Sequence, residues 1–263
     1  MDKLTVDDFM ETAPGRALAL WESSLFDRLV INEFGFGAVQ IGLPMLPALR
    51  ENRMQMRFQI VNADPESLTC PTPAGVRPLA AEPEALPFPE ESMGLVVLPH
   101  TLDFAESPQH ALREAVRILE PEGRLVLSAF NPTSPWWARQ RLVHFGAHPY
   151  LPTKTLPIGL SRLRDWLTLL GLEIDQGHFG VYAPPLKHFG RLERWRWLDK
   201  AGDRWFPQGA NLIVLSAVKR LPGARLIGKV RFSLGDALMP GAPAVGMPRR
   251  NNGASKQQKE EHD

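Results

Sequence analysis

Between Leu79 and Asn131 the apolar positions change period twice. Leu95, Val96, Val97 and Leu98 form an unbroken apolar run, which predicts a strand covered on both faces of a parallel sheet. From Ser107 the period becomes helical: Ser107 is a predicted N-cap, Pro108 suits the first helical position, and Ala111, Leu112, Ala115, Val116 and Leu119 share one face. Gly123 is the predicted helix stop, and Arg124 to Phe130 is a second apolar strand. The unit reads as βαβ, a crossover that is right-handed in nearly every sheet. Ligands of such sheets sit beyond the carboxyl ends of the strands, here Pro99 to Asp103 and Asn131 to Ser134.

The same reasoning extends along the chain. Residues 16–31 put Leu18, Trp21, Leu25 and Leu29 on one helical stripe, with Glu22, Ser23 and Asp27 assigned to the other side. Strands are predicted at Phe36 to Leu43, Arg57 to Asn62, Leu172 to Phe179 and Ala210 to Val218. A helix over 161–170 carries Leu163, Trp166, Leu167 and Leu170, with Ser161 as N-cap and Gly171 as stop. Two prolines and a glycine between Cys70 and Gly75 cut the expected second crossover helix to a loop. After Leu221 the chain turns Pro-, Gly- and base-rich, which predicts a disordered tail. The expected organisation is therefore a helical extension (1–35), one α/β domain (36–221) and the tail (222–263).

The residues from Ala81 to Phe104 carry a resemblance. Glu84-Ala85-Leu86-Pro87-Phe88-Pro89 and His100-Thr101-Leu102-Asp103 are similar to the loop and post-strand segments of class I S-adenosylmethionine-dependent methyltransferases of the small-molecule type. The resemblance implies a Rossmann-like αβα sandwich with a mostly parallel seven-stranded sheet, whose last strand runs antiparallel between the fifth and sixth. It implies S-adenosylmethionine as cofactor and a small-molecule acceptor. By position it makes Gln40, Gly42, Asn62, Glu82, Pro83, Leu98 and Pro99 the cofactor-binding candidates, with Glu82 facing the adenine amino group. His100 becomes the candidate general base, and Asp103, Asn131 and Trp136 the substrate-facing candidates. The chain departs from the family pattern at four places. Gln40 stands where an acid is expected, Leu43-Pro44-Met45-Leu46 replaces most of the glycine turn, Asn62 replaces a ribose-binding acid, and Gly94 replaces an Asp.

Composition adds limits. The net charge of +1 gives no global electrostatic case for nucleic acid or an anionic surface. Lys187, Arg191, Arg194, Arg196, Lys200 and Arg204 alternate with Trp195, Trp197 and Trp205, but Glu193, Asp199 and Asp203 dilute that patch into a salt-bridged helix pattern. The single cysteine, Cys70, excludes an intrachain disulfide. The acidic N-terminus does not read as a signal peptide and no apolar run is long enough to span a membrane, so the sequence predicts a cytoplasmic protein. No metal-ligand spacing appears, and the oligomeric state is not readable.

Three readings of different class remain at this point. The first is a methyltransferase. The second is a methyltransferase-like interaction module without cofactor, motivated by Gln40, the missing glycines, Asn62 and Gly94. The third, a nicotinamide enzyme, is the weakest because Gly35-Phe36-Gly37 precedes the first strand, whereas a phosphate cradle must follow it.

Overall fold

The computed structural model describes residues 4–61, 72–186 and 209–220. Seven strands form one sheet in the order β3-β2-β1-β4-β5-β7-β6. They are β1 (Gly37–Ile41), β2 (Met56–Val61), β3 (Val76–Ala80), β4 (Met93–Pro99), β5 (Leu119–Phe130), β6 (Leu172–Gly180) and β7 (Leu212–Lys219). Neighbouring strands from β3 to β5 pair in parallel, while β7 pairs antiparallel with both β5 and β6. The predicted Rossmann-like architecture is the one observed. Asn62, Cys70, the basic and tryptophan-rich stretch 187–208 and the predicted tail lie outside the described residues.

Helices cover both faces of the sheet, and one short helix, α3 (Thr101–Phe104), follows β4 directly. On one face α4 (Pro108–Ile118) and α6 (Leu160–Leu169) bury Ala111, Leu112, Ala115, Leu163 and Leu167 against Val39, Val96, Leu98, Leu125, Leu127 and Leu215. On the other, α2 (Ala13–Val30) packs Leu25, Phe26 and Val30 against Ala38, Leu95, Val97, Val126 and Val214. The β4 run Leu95 to Leu98 is fully buried, because alternate residues point into the two different layers. Each buried Leu or Val of this kind stabilises the fold by about 1.5–3 kcal/mol relative to exposure.

Two local predictions are corrected. Helix α4 stops at Ile118 and β5 begins at Leu119, so Gly123 is not a helix stop. The pairing jumps from Met93↔Leu119 to Leu95↔Arg124, and residues 120–123 bulge from the strand, with Glu122 at φ 63°. Gly94, which departs from the family pattern, lies beside this bulge: a Cβ there would fall 2.7 Å from Oε1 of Glu120, the far end of a side chain that can move aside. Helix α4 also lacks a side-chain cap from Ser107. The Ser107 amide instead donates to Glu84 Oε1 at 3.0 Å, which ties the Glu84–Pro89 loop to the helix start. Arg117 clamps the other end of that loop by donating to the carbonyls of Phe88 and Leu86.

The N-terminal extension is two helices at a tight crossing. Thr5 and Asp8 form a capping box on α1 (Val6–Glu11), and Thr12 caps α2 by accepting from the Gly15 amide at 3.3 Å. At Gly15 a Cβ would fall 2.1 Å from the Phe9 carbonyl oxygen, so the crossing tolerates no side chain. Gly15→Ala is therefore expected to destabilise the protein by about 1–3 kcal/mol in urea unfolding. Gly177→Ala, whose Cβ would meet only Leu215 at 3.5 Å, is the control and should change the midpoint little.

Candidate functional site

The strand order reverses direction between β1 and β4, and the crevice at such a switch point is where α/β sheets bind ligands. Gly42 leaves β1 at φ +84°, and its missing Cβ would lie 2.8 Å from Thr101 Oγ1 and 3.3 Å from the Pro99 carbonyl oxygen. Only glycine fits this turn. The Thr101 hydroxyl donates to the Ile41 carbonyl, so the carboxyl ends of β1 and β4 are locked side by side.

Gln40 organises the rest of that turn. It is buried, its Nε2 donates to the carbonyls of Leu46 (2.7 Å), Leu43 (3.0 Å) and Gly42 (3.3 Å), and its Oε1 accepts from the Ala48 amide at 3.0 Å. Gln59 Nε2 adds a bond to the Pro44 carbonyl at 3.0 Å. Leu43, Leu46, Ala48 and Leu49 then pack into the α2 layer of the core. An ionised acid at position 40 could accept the Ala48 bond but could not donate to the three carbonyls. The departures at Gln40 and in Leu43-Pro44-Met45-Leu46 are thus one linked change: beyond Gly42 the turn is closed by the Gln40 amide instead of further glycines.

The candidate general base stands in an unexpected place. His100 adopts φ 53° and is wholly buried, with Nδ1 2.7 Å from Asp103 Oδ2 and Nε2 3.0 Å from Glu22 Oε1. Its ring stacks obliquely on Phe130 with centroids 4.3 Å apart. Asp103 Oδ2 also accepts the Phe130 amide at 2.9 Å. Burial by itself would lower the His100 pKa, but the Glu22 charge and the bonds to Asp103 and Glu22 outweigh it and raise the value to about 10. Burial raises the Asp103 carboxyl against the opposing pull of His100 and the Phe130 amide. Both ring nitrogens of His100 are engaged by carboxyl groups of the protein, so neither is left to take a proton from a substrate. Glu22, assigned by periodicity to the outer side of its helix, is buried at the centre of the cluster.

The other substrate-facing candidates also bond within the protein. Asp103 belongs to the His100 cluster. Asn131 donates from Nδ2 to the Ala210 carbonyl at 2.8 Å and accepts from the Thr133 amide and hydroxyl, joining the end of β5 to the entry of β7. Trp136 is buried in the first turn of α5 (Pro135–Arg141), its Nε1 donating to the Ala183 carbonyl at 2.9 Å. Among the cofactor candidates, Leu98 and Pro99 are buried in β4 beside Leu127 and Ser128. Glu82 differs from all of these. Its side chain is exposed just past the end of β3, in a tight reversal where the Ala85 amide donates to the Glu82 carbonyl at 3.0 Å and Pro83 is half-buried. No group of metal-ligating side chains occurs among the described residues.

Sequence reasoning missed Glu22 and Thr101. Glu22 had a readable signal, since it lies four residues after Leu18 and three before Leu25, inside the arc those residues define. Thr101 had none, because its role depends on the β1 turn folding against β4.

With this geometry in place, the chain's similarities to known proteins concern its domain and its fold. Residues 38–127 match the family model described as "Methyltransferase domain". Over those residues the chain is similar to methyltransferase domains. A protein of Escherichia coli K12, the uncharacterized protein YafS, is 38% identical over 117 residues, 43% of this chain and 46% of its own length. The chain thus spans about half the length of the curated relative it matches. A SAM-dependent methyltransferase from Thermotoga maritima superposes with a TM-score of 0.53 at 17% identity, covering 77% of this chain and 92% of its own. The [4+2]-cyclase SpnF superposes with a TM-score of 0.52 at 15% identity, covering 79% of this chain and 83% of its own. At these identities the two structures share the fold with this chain and nothing more is carried over from them.

Truncating the imidazole leaves two buried carboxylates without their cation, so His100→Ala should cost about 3–5 kcal/mol in urea unfolding. The pH dependence has a defined sign. A His pKa raised in the folded state contributes its full stabilisation below the unfolded value of 6.5 and loses it as pH rises towards about 10. Wild-type stability should therefore fall across that window, while Glu22→Gln, which removes the largest raising charge, should flatten the alkaline slope.

Proposed function

We propose that this domain binds S-adenosylmethionine over the carboxyl ends of β1 and β4 and transfers its methyl group to a small-molecule acceptor. The observation that carries the reading is the switch point, where Gly42 alone fits between β1 and Thr101. The residues present meet the cofactor's requirements in part. Glu82 offers an exposed carboxylate to an adenine amino group, and the Gly42 turn offers close backbone approach. Gln40 does not fit, because its amide is bonded within its own turn.

When bound, the cofactor supplies a methyl group on an already activated sulfonium leaving group. The chain's own residues then have a positioning task. Glu82 and the β1 turn would hold and orient the cofactor, the locked β1–β4 floor would support it, and the His100 cluster keeps α2 in place behind it. His100 moves no proton in this scheme. The acceptor atom must arrive already nucleophilic, or lose its proton to water or to a residue other than His100.

Glu82→Ala should weaken S-adenosylmethionine binding by about 1.5–3 kcal/mol, the range for a hydrogen bond to a charged group. Calorimetry of the purified protein measures it. A second reading, a methyltransferase-fold module that binds partners without cofactor, is favoured by the closed Gln40 turn. A thermal-shift titration separates the two. Saturation to 100 times the dissociation constant should stabilise the protein by about 2.7 kcal/mol. A flat response to millimolar S-adenosylmethionine and S-adenosylhomocysteine would select the module instead.

A further inference from the structure

The N-terminal helices do more than cover the sheet. Met10 at the end of α1, Arg16, Ala19 and Leu20 on α2, and Met45 from the turn that Gly42 opens line one groove of about 350 Å³. That volume lies at the lower end of the roughly 300–1,000 Å³ of small-molecule sites. Leu20 and Met45 are its exposed apolar walls, at 62% and 49%, while Met10 is buried beneath them and Ala19 is half-buried. Large apolar side chains exposed around a concavity, unlike scattered surface leucines, indicate a surface kept for something that covers it.

Among the described residues the single charge in the lining is Arg16. It is exposed in the first turn of α2 and pairs with no carboxylate among the described residues. A cation is also the wrong charge for a helix N-terminus, whose unsatisfied amides favour an anion. Arg16 and the end of α2 therefore attract the same sign of ligand charge, at one end of an apolar trough whose far wall is the β1 turn. A macromolecular partner is disfavoured by the small volume, and a dianion by the single cation.

We propose that this groove is the subsite for a small amphipathic monocarboxylate, its apolar body against Met10, Leu20 and Met45 and its carboxylate on Arg16. The ligand is the acceptor of the methyl-transfer reading above, and only this assigned role rests on that reading. The placement makes sense of Met45, an exposed flexible thioether in the turn that the closed Gln40 network holds rigid at its base.

The test uses the full chain carrying 13C-methyl methionine, titrated with octanoate and, in parallel, with octanol. The Met10 and Met45 methyl resonances, assigned by Met→Leu variants, should shift saturably with both ligands, while the core residues Met54 and Met93 stay fixed. Arg16→Gln should weaken octanoate by about three- to fivefold, the scale of one exposed ion pair, and leave octanol unchanged. Leu20→Glu should abolish the octanoate shifts. Unmoved Met45 at millimolar octanoate, or equal octanoate affinity in Arg16→Gln and wild type, overturns the proposal. Calorimetry with S-adenosylmethionine on the same samples keeps the readings apart. Octanoate binding without cofactor binding removes only the acceptor role, and cofactor binding with silent Met10 and Met45 removes only the groove.

Discussion

Helix α2, strand β4 and strand β5 meet at one buried ion cluster, and the arrangement of the strand ends depends on it. Glu22 comes from α2, His100 and Asp103 from the segment after β4, and the Phe130 amide from the end of β5. Taking three ionisable groups out of water is costly, and Glu22 Oε2 and Asp103 Oδ1 remain without partners. Hydrophobic residues of similar volume could fill the same space at lower desolvation cost. What they could not do is fix register. An imidazole whose two nitrogens must meet two carboxylates permits one placement of α2 along the sheet, and that placement sets the wall above the β1 turn.

Much of the fold was legible in the sequence because it rests on periodicity. The unbroken apolar run of β4 and the helical spacing of α4 and α6 need no tertiary information, and the resemblance added the antiparallel position of β7. The bulge at 120–123 was not legible, since proline and glycine after a helix read equally as a stop, and only the pairing with Met93 and Leu95 distinguishes them. The site was harder still. Residue identity suggested that His100, Asp103, Asn131 and Trp136 face a substrate, yet each finds its hydrogen-bond partners inside the protein. Strand ends attract polar residues both to bind ligands and to satisfy backbone groups where the ladder stops, and sequence does not separate the two demands.

The departures from the family pattern read differently once placed in three dimensions. Gly94 lies beside the β5 bulge, and Gln40 together with Leu43 to Leu46 builds a turn closed by side-chain amide bonds. Neither is decay in the sense of a lost contact. The shared fold does not decide the chemistry, since a [4+2]-cyclase superposes on this chain about as well as a methyltransferase does. The distinction lies in side chains around the switch point, where this chain has an amide-closed turn and an exposed Glu82.

The position of β7 has a consequence for how the molecule is made. Among the described residues β7 is the last strand, yet it sits inside the sheet and links β5 to β6. During synthesis β6 emerges with no partner to pair with, and β5 presents an open edge, until Leu212–Lys219 has left the ribosome. The β3-to-β5 half can assemble while the chain is still growing, but the sheet closes only by late insertion of a strand between two waiting edges. Such non-local closure is slow and leaves apolar edges open to association. A chain stalled shortly before residue 212 would be a natural client for chaperones, whereas one released a few residues beyond Lys219 could complete its sheet.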